Sequence, residues 1–469
     1  MIGKRRMCIL AISCTTIFVT LVSAELYNRA PEVMPGTIPE MHTTAYWIKQ
    51  MDKPDEIIMD IDEIMQMNDR YDNRIRSSEP FNGVAENRIP DLDYWWPGHI
   101  LYMPDFHAMT PSALGDTARS RIKIQIDYLR SKDFGNLLAI KYSDDELDEF
   151  EDEMALDTLG SKIQIRDALT VRPARLRNIP TLESHHVGLL QNAKTRWDLF
   201  NVGIVRIGSP VVVFHASRSG EYVLVACETG YGWIRTEDIA FGNRRQIAEF
   251  AQPKDFVICT GDRVQFYSDK KCQYASGWFR MGDRLPGASK TKVKIPVRSS
   301  DGSLKSATAF IRPDAEVHRG WVPYTRRNVV TTAFKLLDNS YDWTGGWFGR
   351  QHEETYRDIF AVFGFKLPWH GGLFTIFGGN DMVVTPEMGT DGQYRNILKN
   401  DPFITLQSCG GHAQLFLGKY KGTPIVLDQH GYGYDLNDST YVEVRRCCIG
   451  DVTMPTYFLT RNVTFCTLK

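Results

Sequence analysis

The chain has 469 residues, of which 43% are hydrophobic and 12% aromatic. At roughly 100–200 residues per domain, this length indicates two to four folded domains and excludes a single small module. The 55 Lys and Arg residues nearly balance the 57 Asp and Glu residues, and the formal net charge is −2. Because no basic excess is available to neutralise a phosphate backbone, we expect no nucleic-acid partner.

Residues 1–24 have the pattern of a signal peptide. A basic triplet at residues 4–6 precedes an almost wholly apolar or small stretch over residues 7–22, and Ala24 ends a small-residue cleavage site. We therefore expect a periplasmic or secreted protein. A membrane anchor is the alternative, but the apolar stretch is shorter than the ~20 residues that span a bilayer. We expect no stable membrane insertion after the signal is removed.

The cysteine pattern excludes a disulfide-dense scaffold. Two of the nine cysteines fall in the predicted leader, and no CxxC pair indicates a zinc site. The odd number that remains leaves one or two disulfides open in an oxidising compartment. These seven residues are Cys227, Cys259, Cys272, Cys409, Cys447, Cys448 and Cys466.

Residues 25–180 are predicted to form a helical and irregular N-terminal segment. Within it, residues 55–68 carry an apolar stripe with acidic residues at the start, which predicts a capped amphipathic helix. Eight of the ten residues at 144–153 are acidic. Such a run indicates a solvated helix face or loop, with a docking surface as the alternative.

Residues 181–250 and 251–323 are each predicted to form a small SH3-like β-barrel. In the first, short β-runs at 211–215, 222–226 and 231–234 are separated by turn residues. The second repeats this pattern of short strands and Gly- or Ser-containing turns.

Residues 324–469 mix helical and strand patterns. Apolar periodicity predicts helices at 328–337 and 355–363. The runs 413–418 and 424–428 predict a β-hairpin. The predicted class is therefore α+β multidomain, with a helical or irregular start, two β-barrels and an α+β C-terminal domain.

Several motifs in this order resemble the secreted NlpC/P60 cysteine peptidases that carry an N-terminal clip, two bacterial SH3 (SH3b) domains and a papain-like catalytic domain. The resemblance covers nearly the whole mature chain and implies cleavage of the γ-D-glutamyl to diamino-acid bond in peptidoglycan stem peptides. The motifs are Thr44–Ile48, Gly232-Trp233-Ile234 with Glu237-Asp238, Asn328 to Leu337, Tyr341 to Gly346, Arg357 to Phe360, Gly411 to Gly418, and His430.

The resemblance also implies the site residues. The family uses a cysteine thiolate at a helix N-terminus, a histidine base and a third residue that orients the base. Counting back from the Arg357-Asp358 pair, the nucleophile position falls on His352. His412 takes the position of the base and His430 that of the orienting residue. The missing thiol predicts lost or impaired hydrolysis.

We expect the substrate cleft between the first barrel and the C-terminal domain, because pockets favour domain interfaces and the family places its substrate there. Trp233 and Tyr341 are the candidate substrate-binding residues. Cys409 lies three residues before His412 and is the alternative nucleophile. Strand alternation would place these two side chains on opposite faces, which favours a structural role for Cys409.

The resulting functional prediction is a secreted protein that recognises peptidoglycan stem peptides and has lost or impaired hydrolysis. Two alternatives remain open: an active endopeptidase that uses His352 or Cys409, and an adaptor whose SH3b domains bind protein. No cofactor is expected. A zinc site formed by His352, His412 and His430 is a less favoured possibility, since a histidine cluster without metal is the commoner arrangement.

Overall fold

Helices dominate the first part of the chain, strands the middle, and both occur in the last third. The computed structural model describes residues 32–77, 103–131, 135–136, 140–184, 198–345, 349–409, 412–431, 433–436, 440–454 and 458–469. The predicted signal peptide lies outside these residues. The predicted α+β multidomain class is confirmed. The α-helices are Thr44–Ile48, Ile61–Ser77, Pro111–Arg130, Asp144–Glu153, Arg244–Ala251, Arg326–Ala333, His352–Ala361, Phe374–Gly378 and Gly389–Ile397.

Among these described helices, none combines the length and apolar character needed to cross a bilayer. The longest, Pro111–Arg130, packs one face on the first barrel and carries charged residues elsewhere.

The helix predicted over residues 55–68 begins later than expected. Ile57–Met59 is a short strand, and the helix spans Ile61–Ser77. Asp60 Oδ1 accepts a hydrogen bond from Glu63 N at 2.9 Å, while Glu63 Oε2 accepts one from Asp60 N at 2.8 Å. This reciprocal capping fixes the start of the helix and leaves the preceding residues available for pairing.

The clip, which we define as residues 32–77, packs against the C-terminal domain. Ile57–Met59 pairs antiparallel with Tyr324–Thr325. Farther along, Asn68 Nδ2 donates to the carbonyl of Gly364 at 3.0 Å, and its Oδ1 accepts from Lys366 N at 2.9 Å. The clip and the C-terminal domain therefore share one apolar core.

The acidic run forms the helix Asp144–Glu153, which is one of the two expected forms. Part of its charge is paired within the chain: Arg130 lies 2.8 Å from Glu151, and Arg218 lies 2.7 Å from Asp152. The paired acidic side chains stay 40–69% exposed, so the run remains a solvated helix face.

The first barrel contains a seven-stranded sheet and starts before the predicted boundary at residue 181. Two of its strands precede that boundary because they pair with the predicted ones; Ala168, for example, lies opposite Val211. In sheet order the strands are Asn201–Val205, Ala174–Arg177, Gly230–Arg235, Tyr222–Cys227, Pro210–Ala216, Arg166–Thr170 and Ile239–Phe241.

The strands of the second barrel lie between Phe256 and Arg319. The barrel comprises a four-stranded and a three-stranded sheet around an apolar core that includes Phe266 and Phe279. Its strands are Phe256–Cys259, Arg263–Tyr267, Ala275–Arg280, Arg284–Pro286, Lys292–Arg298, Leu304–Phe310 and Val317–Arg319.

The C-terminal domain is built on a six-stranded antiparallel sheet, and the predicted hairpin supplies its fourth and fifth strands. The turn of that hairpin has positive φ at Lys421 and Gly422. In sheet order the strands are Asn380–Val384, Val463–Thr467, Thr405–Cys409, His412–Tyr420, Thr423–His430 and Arg446–Asp451. A separate two-stranded sheet comprises Gly433–Leu436 and Thr440–Glu443. The helices Arg326–Ala333 and His352–Ala361 pack in the core of the C-terminal domain. They overlap the helices predicted at residues 328–337 and 355–363.

A buried carboxylate joins the two barrels to the C-terminal domain. Asp358, which has no solvent exposure, accepts hydrogen bonds from Arg280 Nε at 2.8 Å and Arg350 Nε at 2.7 Å, and it also contacts Arg206. Burial alone would raise the pKa of Asp358, but the three guanidinium groups outweigh it and hold that pKa far below its usual range. The helix that carries Asp358 is thereby fixed relative to both barrels.

Candidate active site

His352 occupies the start of the helix His352–Ala361, which we call the site helix. Its imidazole is buried, and Nδ1 lies 2.6 Å from the carbonyl oxygen of Gln429. Because a carbonyl oxygen can only accept, His352 carries its proton on Nδ1 and has a lone pair on Nε2. The structure thus places this residue at a helix N-terminus, where the resemblance located the nucleophile.

His412 and Asp428 lie on the two strands of the hairpin formed by His412–Tyr420 and Thr423–His430. His412 Nε2 lies 3.0 Å from the carboxylate of Asp428, and Gln414 Nε2 donates to that carboxylate at 3.0 Å. Burial alone would raise the pKa of Asp428, but its contacts with His412 and His430 hold the pKa far below the usual range. The ionised carboxylate fixes the proton of His412 on Nε2 and orients the ring.

Asp428 therefore makes the contact that the sequence assigned to His430. His430 Nδ1 lies 3.7 Å from Asp428, and its ring centroid is 6.0 Å from that of His412. The two residues are two positions apart on one strand, so their side chains share a face of the sheet. The pairing of Leu415 with Leu427 makes Asp428 a diagonal neighbour of His412 on the adjacent strand, and a diagonal neighbour is within reach of a long or aromatic side chain. The strand alternation already placed Asp428 on the same face as His430, two residues earlier in the sequence, and this was the sequence feature that could have identified it.

The imidazoles of His352 and His412 are in contact. His412 Nδ1 lies 3.3 Å from His352 Nε2, and the ring centroids are 4.0 Å apart. Burial, followed by the neighbouring His412, lowers the pKa of His352 well below its usual value. His352 is therefore neutral at ordinary pH, and the two predicted site histidines meet directly.

Tyr341 lies beside His352, with 5.0 Å between the ring centroids. The phenol ring rests on Gly431, where a Cβ atom would approach the Tyr341 ring to 2.4 Å. Tyr341 also packs against the apolar cluster of the first barrel. It therefore stands at the interface where the cleft was expected.

Trp233 belongs to the same interdomain cluster but is covered. It has no solvent exposure, and its indole Nε1 donates to Gln125 Oε1 of the helix Pro111–Arg130 at 2.9 Å. Trp343 of the C-terminal domain joins this cluster. The structure thus places Trp233 in the packing beneath the interface, because the long helix closes over it, and not on an open wall as the sequence suggested. Its role in binding stays a prediction.

The first barrel and the C-terminal domain are also joined by polar contacts next to Trp343. Asn201 Nδ2 donates to the carbonyl and the hydroxyl of Thr344 at 2.7 and 2.8 Å. Thr344 has a positive φ of 52°, a conformation that is costly for a β-branched residue. These contacts hold the segment that carries Tyr341 against the barrel.

Glu353 is a buried titratable group next to His352. It follows His352 in the site helix, and its Oε1 lies 3.4 Å from the amide of Gly371. Burial raises the pKa of Glu353 to about 7 despite the helix N-terminus, which favours a negative charge. The site therefore contains a carboxyl group that titrates near neutral pH.

Cys409 lies closer to the site than strand alternation predicted. It is the register partner of His412, so both side chains leave the sheet on one face. The expectation of opposite faces was wrong because these residues belong to two different strands. Cys409 nevertheless packs in an apolar cluster, and burial raises the pKa of its thiol to about 11. Like the six other cysteines of the described residues, it forms no disulfide.

Within the described residues, His352, His412 and Asp428 are the group with the spacing of a metal site. One ligand atom from each can be chosen so that all lie within 4.8 Å of one another. The zinc site considered from the sequence consisted of His352, His412 and His430. In the structure, the third member of the group is Asp428 and not His430.

Gly431→Ala is expected to weaken binding at this site about tenfold or more, because the added methyl group must displace the Tyr341 ring. Isothermal titration with a stem peptide measures the effect. Gly392→Ala is the control: its site is helical, and the nearest atom is Met388 Cβ at 3.1 Å, which has to move by only a few tenths of an ångström. Equal affinities for the two variants would contradict a role for Tyr341.

Comparisons with known proteins support the fold. A sequence profile for the SH3 domain (SH3b1 type) matches residues 190–235, which contain four strands of the first barrel. The structure of an NlpC/P60 endopeptidase from Photobacterium damselae subsp. piscicida is similar, with a TM-score of 0.70 and 16% identity over 94% of this chain and 100% of that chain. No curated protein sequence matches the chain significantly.

A second solved structure, an NlpC/P60 family protein from Bacillus cereus ATCC 10987, gives a TM-score of 0.40 and 15% identity over 63% of this chain and 97% of that chain. The fold assignment rests on the Photobacterium structure, because that match extends over 94% of this chain. The chain therefore has the fold that its motifs predicted, with an SH3b-type first barrel.

Proposed function

We propose that this protein is exported, to the periplasm or beyond the cell, and recognises peptidoglycan stem peptides without cysteine-dependent hydrolysis. The observation that carries the proposal is the occupant of the site helix N-terminus. A buried neutral histidine, His352, stands where a peptidase of this fold requires a thiolate.

The chemistry explains why this substitution removes turnover. A nucleophilic thiolate needs a lowered pKa and a base that accepts its proton. The base arrangement persists in His412 and Asp428, but the imidazole of His352 is held by Gln429 and His412. Its lone pair is directed at His412 and not toward a substrate carbonyl. The site keeps the architecture of acyl transfer and lacks its nucleophile.

Recognition is supported by the parts that remain. Tyr341 is fixed between His352, Gly431 and the first barrel, and the barrel itself is of the SH3b type. The Photobacterium endopeptidase shares the fold over nearly the whole chain. A peptide bound between the first barrel and the C-terminal domain would contact residues from both.

The test is a titration of the full mature chain with a peptide that contains the γ-D-glutamyl-diaminopimelate bond, followed by mass spectrometry after prolonged incubation. We expect saturable binding, no cleavage product, and at least tenfold weaker binding by Tyr341→Ala. Product formed by wild type and abolished in His352→Ala would overturn the loss of hydrolysis. Absence of binding would overturn recognition.

Cys409 gives the active-enzyme alternative its only specific support, because it is the register partner of His412. A thiol with a pKa of about 11 is almost entirely protonated at neutral pH. We therefore expect Cys409→Ser to bind peptide as wild type does and to show the same absence of product. Wild-type turnover that disappears in Cys409→Ser would instead identify this residue as the nucleophile.

A further inference from the structure

In the contact between His352 and His412, the hydrogen-bond partners of each ring determine which of its nitrogens carries the proton. His352 donates from Nδ1 to a backbone carbonyl, and His412 donates from Nε2 to the carboxylate of Asp428. The nitrogens that face each other, His352 Nε2 and His412 Nδ1, therefore both carry lone pairs across 3.3 Å. Two facing lone pairs repel, and a cation shared by both nitrogens, either a proton or a metal ion, would remove that repulsion.

We propose that His352 Nε2 and His412 Nδ1 bind a divalent transition-metal ion of the zinc class. In a tetrahedral site with metal–nitrogen distances of about 2.0–2.1 Å, two ligand nitrogens are about 3.3–3.4 Å apart. The observed separation of 3.3 Å matches that edge. A site of two imidazoles suits zinc, cobalt, nickel and copper better than magnesium or calcium.

The groups around the pair form the support that metal-binding histidines require. Such histidines donate their second ring N–H to a carboxylate or a backbone carbonyl, which sets the tautomer and the ring orientation. Asp428 does this for His412, and the Gln429 carbonyl does it for His352. Gln414 in turn donates to Asp428 at 3.0 Å. The pair is thus prepared for a metal ion by three separate contacts.

Charge favours the same assignment. The Asp428 carboxylate lies 3.0 Å from Nε2 of His412 and supplies a negative charge in a buried place where a dication would otherwise be costly. We assign Asp428 as a positioning residue that acts through His412. This site goes beyond peptide recognition and does not depend on it.

The test uses untagged full-length mature protein, treated with a chelator that is then removed. Titration with Co²⁺ alone is followed by its visible absorption, and Zn²⁺ is then added as competitor. We expect about one Co²⁺ per chain, the intense bands of tetrahedral cobalt with nitrogen ligands, and their loss on adding Zn²⁺. Absence of these bands in wild type would overturn the proposal and leave a shared proton as the cation.

Variants locate the site. His352→Asn is expected to abolish the cobalt bands, and Asp428→Asn to weaken Co²⁺ binding about 10–100-fold without abolishing it. His318→Asn, in the second barrel, is the matched control and should bind as wild type. Retention of the bands in His352→Asn would overturn the assignment. Should that variant fold poorly, protection of wild-type His352 and His412 by Zn²⁺ against diethyl pyrocarbonate decides: equal modification with and without Zn²⁺ would also overturn it.

Discussion

Asp358→Asn is expected to lower the free energy of unfolding by about 3–5 kcal/mol, the usual cost of removing one partner from a buried ion pair. The carboxylate neutralises Arg206, Arg280 and Arg350, and the latter two are almost without solvent exposure. An amide of the same shape removes the negative charge that the three arginines share. Each arginine then depends on one remaining carboxylate, which is Asp283 for Arg206, Glu354 for Arg280 and Asp262 for Arg350. The loss is expected at the junction of both barrels with the C-terminal domain, so the cooperativity of unfolding should fall as well.

Chemical denaturation followed by tryptophan fluorescence measures this effect. Asp148→Asn is the matched control because Asp148 also pairs with an arginine, Arg130, but is 69% exposed. Exposed pairs contribute only about 0–1 kcal/mol, so this variant should unfold nearly as wild type does. Similar destabilisation by both variants would contradict the structural role of the buried carboxylate.

The same carboxylate predicts a pH dependence. Because its pKa is depressed in the folded state, Asp358 stabilises the protein fully at pH values above its unfolded pKa of about 3.9. This contribution is lost as the pH falls from there toward the folded value. We expect the stability difference between wild type and Asp358→Asn to be constant from about pH 7 to pH 5 and to shrink below about pH 4. A difference that grows on acidification would contradict this.

His352→Cys is expected to create hydrolysis of the γ-D-glutamyl-diaminopimelate bond where wild type has none. The new thiol would lie at the N-terminus of the site helix, where the helix dipole favours a thiolate, and His412 with Asp428 would accept its proton. Mass spectrometry of the digested peptide measures the product. His352→Ser is the control, since a hydroxyl is a far weaker nucleophile here and should give no product.

Rescue by His352→Cys should be incomplete because of Glu353. Its carboxyl group has a pKa of about 7, and the negative form next to the thiol would favour the protonated thiol. The double variant His352→Cys/Glu353→Ser is therefore expected to react faster, by about tenfold if the thiol pKa falls by about one unit. No product from either well-folded variant would show that the rest of the site has diverged along with its nucleophile.

The order of motifs along the chain was sufficient to predict the two histidines in contact and the α+β architecture. It was not sufficient for Asp428, because Asp428 and His430 lie on one strand face and only the side-chain positions show which of them contacts His412. Trp233 shows a second limit: its motif located the strand, but the helix that covers it comes from over 100 residues earlier in the sequence. Cys409 shows a third, since alternation applies only within one strand.

The antiparallel pairing of Ile57–Met59 with Tyr324–Thr325 makes the C-terminal domain depend on both ends of the chain. The segment synthesised early must wait for the last domain before it finds its partner, so the contacts that complete the core are among the most distant in the sequence. Such non-local contacts slow folding and prolong the exposure of apolar surface. An isolated fragment starting near residue 324 would lack the clip residues that complete its apolar core. This chain cannot be divided for expression at the boundary that its barrels suggest.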